Sequence, residues 1–437
     1  VHVLVRPVGR HVAPELVFRR LVARAKSRGL APPAALTGDW FDSRAVLLPS
    51  VRTGAVPDAE AYTVPCLQPT VEQDVPPGTV GGGWFGYLGY GLTDPGTWPA
   101  RQLPNTVWGW ADHVLRLDHS GQWWFEALVA DGRPEPVALA AELAELVAAG
   151  EQPPPQSWRA GELRRASADR HRTAVAGCVE EIAAGEIFQA NVCTQFSAEF
   201  SGEPAELFAE GVAALNPARA AYLAGHWGAV ASFSPELFLA RHGRTVRSSP
   251  IKGTLPRRGP EDDGNAARLR RSVKDVAENV MIVDLVRNDL GRVCVPGSVT
   301  VPELLTVRPA PGVWHLVSTV EGQLRPGVDD TSLLEATFPP GSVTGAPKVR
   351  ALEIIAELED RPRQVYCGAI GLASPVAGLE LNVAIRTMEI HRGELRIGVG
   401  GGITADSDPH REWLECLAKA APLDRLLATP VAPTVSP

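Results

Sequence analysis

Lys252 stands in the run Pro250-Ile251-Lys252-Gly253-Thr254, read as an apolar, glycine-flanked turn after a strand over residues 244–249. An amine held there is drawn out of water. Desolvation disfavours the ammonium form, and a neutral amine adds covalently to a small substrate as a solvated lysine does not. A lysine at an ordinary solvated turn has the same local sequence, so the motif gains weight only from other polar groups set inside apolar elements.

Two carboxylate-bearing helices supply such groups. The spacing of Val273, Val276, Val280, Val283 and then Val286 or Leu290 predicts a helix with one apolar stripe. Glu278 lies among Ala277, Val280 and Met281, either on the solvated flank or drawn into a site. A second helix is predicted over residues 409–423 with Ser407 or Asp408 as N-cap, and steps of three and four put Glu412, Glu415 and Lys419 on one face. That trio is either a surface ion-pair row or a pair of hard oxygen ligands beside a cationic anchor, the combination that magnesium and an anionic substrate require. Glu278 and Glu415, with substrate oxygens and water, satisfy the octahedral demand of that ion.

Anion-binding features accompany them. Gly398-Val399-Gly400-Gly401-Gly402-Ile403-Thr404 reads either as a nest of backbone N–H groups around a carboxylate or as a turning strand end. Arg386, predicted inside a strand over residues 382–390, needs an anionic partner for its guanidinium. Residues 339–348 read as a loop entering a helix, with Thr344 or Ser342 as cap and Pro347 in its first turn. His315, in a strand predicted over 313–320, is either a satisfied core residue or a neutral donor near a hydroxyl. Together these favour an anionic, carboxylate-bearing small molecule with a divalent ion.

The elements that must position these groups divide unevenly. The first third is rich in proline, glycine and short strand-like runs such as 45–48 and 107–110, and the glycine-aromatic run 81–90 suits close strand packing rather than a phosphate loop. A helix is predicted over 136–149, then Pro153, Pro154 and Pro155 mark 151–156 as the linker between an N-terminal strand-rich subdomain, 1–156, and a catalytic domain, 157–437. A helix over 170–184 and a strand over 187–200 follow, and runs 381–390 and 394–399 look like an antiparallel hairpin. Alternating helix and hairpin signals predict an α+β fold, not a doubly wound parallel sheet.

Composition excludes several classes. A net charge of -8 with no basic tract argues against a nucleic-acid surface. Arg6, Arg10 and Arg19 interrupt any signal-peptide core, and no apolar run approaches the ~20 residues of a membrane span. Six scattered cysteines form no CxxC pair and no zinc-like spacing. The expectation is a cytoplasmic globular protein with free thiols.

In order along the chain, these residues resemble the chorismate-utilising enzymes, which include component I of anthranilate synthase and of aminodeoxychorismate synthase, with isochorismate and salicylate synthases as relatives. The resemblance rests on Gly185-Glu186-Ile187-Phe188-Gln189, Ser234-Pro235-Glu236, the Lys252 motif, Ala277-Glu278-Asn279, the run Asp284 to Asp289, Gly345-Ala346-Pro347-Lys348 and Gly400-Gly401-Gly402-Ile403, with looser matches at Phe41-Asp42-Ser43 and Gly86 to Tyr90. It implies two large, orthogonally packed, mainly antiparallel sheets flanked by helices. It also implies magnesium on Glu278 and Glu415 with Glu412 beside them, and Arg386 and Tyr366 at the enolpyruvyl group. Gly400, Gly401 and Lys419 would hold the ring carboxylate, His315 would sit near the ring, and Gln189 and Thr254 join the substrate contacts.

Lys252 is similar to the lysine of the aminodeoxychorismate branch, where anthranilate synthases generally carry alanine. Gln189 replaces the lysine base of water-using isochorismate synthases. The implied reaction has Lys252 attack ring carbon 2 of chorismate while Glu236 protonates the departing 4-hydroxyl, after which ammonia enters at carbon 4. No glutaminase nucleophile is read in the chain, so ammonia is expected from a glutamine amidotransferase partner or from solution. Anthranilate synthesis is the alternative activity, and a silent chorismate-binding regulatory subunit is a third reading, opposed by the presence of Lys252, Glu278 and Glu415.

Overall fold

The computed structural model describes residues 1–98, 101–150 and 157–428, and the proline-rich linker predicted at 151–156 lies outside them. Among the described residues the strands form two sheets, one of twelve strands and one of ten, and their pairings are antiparallel. This is the expected α+β fold. Both sheets take strands from either side of residue 156: Ala34–Trp40 pairs with Arg219–Gly225 in the larger sheet, and Gly83–Leu88 pairs with Ala369–Ser374 in the smaller.

One core lies between the sheets. Leu36, Val46, Leu48 and Val230 of the larger sheet meet Phe85, Tyr87, Ile370 and Leu372 of the smaller. The outer face of the larger sheet packs on helices that include Pro14–Arg28, Pro204–Leu215 and Pro409–Leu427, and that of the smaller on Val273–Gly291 and Asp330–Thr337. Alternation of apolar residues on strands and stripes on helices therefore gives helix, sheet, sheet, helix layers. The close strand packing expected of the glycine-aromatic run is present at Gly86, where a Cβ would stand 1.9 Å from the Val107 carbonyl oxygen.

The chain passes between the sheets at two places that matter below. Strand Gly228–Ser234 belongs to the larger sheet and Leu237–His242 to the smaller, with Pro235 and Glu236 at the crossing. Strand Gly378–Val383 belongs to the smaller and Thr387–His391 to the larger, with Ala384, Ile385 and Arg386 between. The two crossings are tied together: Phe233 N–H donates to the Arg386 carbonyl and Val383 N–H to the Glu236 carbonyl, both at 3.0 Å.

Several local expectations change. Arg386 is not inside a strand; it sits at the crossing with φ +49°, because one continuous strand cannot serve two sheets. Lys252 is not in a turn: Pro250 breaks the run and Ile251–Pro256 resumes as a strand paired with Val313–Gln323. The glycine run is neither nest nor turn but continues strand Glu394–Ile403. Helix Lys348–Leu358 has Pro347 at its N-cap without a side-chain cap, since Thr344 Oγ1 is engaged by the Pro340 and Gly341 carbonyls. No helix among the described residues is long and apolar enough to cross a membrane.

Candidate active site

The site forms along the free edge of strand Glu394–Ile403. On one side this strand pairs with Gln189–Gly202, placing Gly400 opposite Cys193 and Gly402 opposite Asn191. The Cys193 N–H donates instead to Glu359 Oε1 at 2.7 Å and the Asn191 N–H to the Thr344 carbonyl at 2.7 Å. Opposed antiparallel residues exchange both ladder bonds or neither, so Gly400 and Gly402 turn their backbone groups to the other edge. There the Gly400 carbonyl accepts from Lys419 Nζ at 2.8 Å. The amides that face the free edge are therefore those of Gly400 and Gly402, not the expected Gly400 and Gly401, because Gly401 N–H turns into the ladder.

Missing side chains open both faces of this edge. A Cβ on Gly402 would stand 3.0 Å from Glu278 Oε2, 3.1 Å from Lys252 Nζ and 3.3 Å from Gln189 Nε2. A Cβ on Gly401, facing the other way, would stand 3.3 Å from Glu412 Oε2, 3.5 Å from Glu415 Oε1 and 3.6 Å from Lys419 Nζ. Gly402 belongs to the predicted glycine run but not to the carboxylate contacts that the resemblance implies, because the run of four glycines hides which ones face the edge; only the strand register separates them. Lys252 is 8% exposed, and both polar atoms of the Gln189 amide are buried without a partner among the described residues. These groups are therefore free to bond a ligand or water.

Glu278 is drawn into the site rather than left on the flank. Burial raises its pKa, against the pull of Lys252 and Lys274. Helix Pro409–Leu427 starts with Asp408 Oδ1 accepting the Arg411 N–H at 2.9 Å and Pro409 at its first position, which aims Glu412, Glu415 and Lys419 at the glycine strand. Burial acts to raise the Glu415 pKa, but the Lys419 ammonium at 2.8 Å outweighs it and holds the carboxylate low. Glu412 Oε1 accepts from Ser407 Oγ and Lys274 Nζ, each at 2.7 Å, while Oε2 is buried and unpartnered. Among the described residues no three side chains stand close enough to hold a metal as they are. In kind the donors suit a hard divalent cation: carboxylates from two helices, one with an orphaned oxygen, around two glycines.

The crossings bring in the remaining groups. Glu236 is buried, and burial lifts its pKa to about 7 despite a hydrogen bond with Ser342 and the nearby Lys252 charge. Arg386 is lowered by burial and raised by Glu236, and its guanidinium has no hydrogen-bond or ion-pair partner among the described residues. His315 Nδ1 lies 2.9 Å from Thr254 Oγ1 while Nε2 is buried and unpartnered. Burial, then the Arg386 charge, push its pKa down to about 3, so the ring is neutral. Tyr366 packs its ring against Gly398 and is buried, its hydroxyl 4.0 Å from Cys193 Sγ.

A lysine and carboxylates at an unpaired strand edge between two antiparallel sheets define a class of α+β protein built to take a small anionic molecule. The chorismate binding enzyme family model matches residues 49–425, and the chain belongs to that family. It is 46% identical over 237 residues to aminodeoxychorismate synthase component 1 of Salmonella typhimurium, covering 54% of this chain and about half, 52%, of that relative. It is 39% identical over 346 residues to the protein of the same name from Klebsiella aerogenes, covering 77% and 75%. The crystal structure of anthranilate synthase component I from Streptococcus pneumoniae superimposes with a TM-score of 0.72 at 28% identity, covering 85% of this chain and 86% of that one.

Proposed function

We propose that this protein is the aminating component of an aminodeoxychorismate synthase, converting chorismate and ammonia to 4-amino-4-deoxychorismate. The observation that carries the reading is the convergence of Lys252 Nζ, Glu278 and Gln189 on the open position at Gly402. The names of the Salmonella and Klebsiella relatives support it.

In this reading the unpartnered Arg386 fork takes a substrate carboxylate, and the Gly400 and Gly402 amides with Lys419 take the other. The Lys252 amine attacks ring carbon 2, both ring double bonds shift by one position away from it, and the carbon 4 to oxygen bond breaks as Glu236 donates its proton, releasing water. Ammonia then adds at carbon 4, both double bonds shift back, and the bond from carbon 2 to Lys252 breaks with its electron pair returning to the amine. The Glu236 carboxylate takes the surplus proton from the new ammonium. His315 Nε2 faces the ring as a neutral hydrogen-bonding group.

Glu278 and Glu415, with Glu412, are the residues we assign to magnesium, which when bound neutralises substrate carboxylate charge. A glutamine amidotransferase subunit is the proposed ammonia source. Six free cysteines, five of them buried, suit the reducing cytoplasm as its compartment.

Anthranilate synthesis is the second reading, favoured by the likeness to the S. pneumoniae structure. The test is a chorismate assay with magnesium and high ammonium, products resolved by chromatography and mass, with Lys252→Ala alongside. Aminodeoxychorismate from the wild type and none from the variant supports the proposal; anthranilate from the wild type selects the second reading.

A further inference from the structure

Lys274 joins two of the carboxylates assigned above to a divalent cation. Its Nζ is 2.7 Å from Glu412 Oε1 and 3.8 Å from Glu278 Oε1, bridging the two helices that carry them. Local structure gives no reason for a cation there. Lys274 is the second residue of helix Val273–Gly291, whose N-terminus is capped by Ser272 Oγ accepting the Asp275 N–H. The positive end of the helix dipole opposes a lysine in that first turn, so the carboxylates must hold it.

Amino groups stand among the carboxylates of the edge. Lys252, Lys274 and Lys419 face Glu278, Glu412 and Glu415, with Asp275 and Glu236 also near. Glu412 is 3% exposed, yet its Oε2 has no partner and lies under Gly401 beside Glu415 Oε1. That orphaned oxygen points to a ligand which the ammonium alone does not replace. Lys274 itself is 39% exposed, so its chain can swing to solvent without unfolding the helix.

We propose that Lys274 is a tethered counter-cation that holds the carboxylate cluster together without metal and must withdraw from it for a divalent cation to bind. This rests on the assignment of Glu278, Glu412 and Glu415 to magnesium. Lys274 is thus a positioning residue that sets metal affinity: it weakens cation binding by competition and keeps the unfilled site from flying apart by like-charge repulsion. It also fits the lack, among the described residues, of three carboxylate, His or Cys groups gathered for a metal: Lys274 stands between Glu278 and Glu412.

The test is calorimetric titration of magnesium chloride into the metal-stripped full chain, without substrate, for wild type, Lys274→Met and Lys274→Arg. Lys274→Met should bind magnesium about tenfold or more tightly, and Lys274→Arg, which keeps the charge, should stay near wild type. The melting temperature of metal-free Lys274→Met should fall below that of the wild type and recover on adding magnesium. If Lys274→Met does not fold, Lys274→Gln replaces it against Lys274→Arg. Measurable wild-type binding with equal or weaker binding by the neutral variants overturns the role of Lys274 alone. Absence of binding by every form overturns the metal assignment and the inference with it.

Discussion

Thr254 Oγ1 lies 2.9 Å from His315 Nδ1, on the paired strands Ile251–Pro256 and Val313–Gln323 where the two residues stand directly opposite. The bond fixes the ring and leaves Nε2 as the nitrogen available to a ligand. With a pKa near 3 the ring carries no charge at working pH, so it offers a hydrogen bond and not a cation. Thr254→Val should lower kcat about tenfold with little change in KM, as expected for loss of orientation. The pH-rate profile should show no limb from His315 between about pH 5 and 9. A limb that vanishes in His315→Gln but persists in Glu236→Gln would contradict this account.

Glu236 is expected to supply the visible titration. Its pKa of about 7 leaves the carboxyl protonated below neutrality, the form needed to protonate a leaving hydroxyl. Steady-state rates with saturating ammonium, corrected for the ammonia fraction, should fall as pH rises through about 7. Glu236→Gln should lose roughly 10²- to 10⁴-fold in kcat and lose that limb. Retention of the limb in the variant would remove Glu236 from the acid role.

Gly402 and Gly86 offer a contrast between site and scaffold. Alanine at 402 would put a methyl 3.0 Å from Glu278 Oε2 and 3.1 Å from Lys252 Nζ, which are ends of movable side chains. Its backbone lacks the positive φ that penalises alanine. Gly402→Ala should therefore melt near the wild type yet lose about 100-fold or more in kcat/KM, because the methyl occupies the substrate's place. At Gly86 the methyl would meet backbone oxygen at 1.9 Å, so Gly86→Ala should fail to fold or melt far lower. Thermal melts beside kinetics separate the two.

Much of this was legible in the sequence where one element carries one signal. The helix holding Glu278 was predicted from residue 273 and begins there, and the carboxylate helix begins at Pro409 behind Asp408 as expected, because stripe and cap agree locally. The misplacements share a cause. Arg386 and Lys252 sit where the chain changes sheet or resumes after proline, and those events depend on partners over 60 residues away, such as His315 opposite Thr254. The distinction between Gly401 and Gly402 is a matter of register against Gln189–Gly202, which the glycines themselves do not encode. Lys274 drew no attention because a lysine in a first turn has no local signature of its partners.

Glu389 shows the stability side of the same burial. Its Oε1 accepts the Val365 and Tyr366 N–H groups at 3.0 and 2.9 Å, holding the turn that carries Tyr366, and its Oε2 is buried without a partner. Burial, only partly offset by those two bonds, raises its pKa from 4.5 to about 7. Between those values the folded chain holds a proton that the unfolded chain has released, so stability falls as pH rises through the interval. By pH 8 the cost from this one group is on the order of 3 kcal/mol at most. Glu389→Gln keeps the oxygen that accepts both N–H groups and needs no proton. It should match the wild type in melting temperature near pH 5 and exceed it by a few degrees at pH 8, measured by calorimetry at constant ionic strength. Equal melting temperatures at both pH values would mean that Glu389 is ionised in the folded protein after all, with a partner for Oε2.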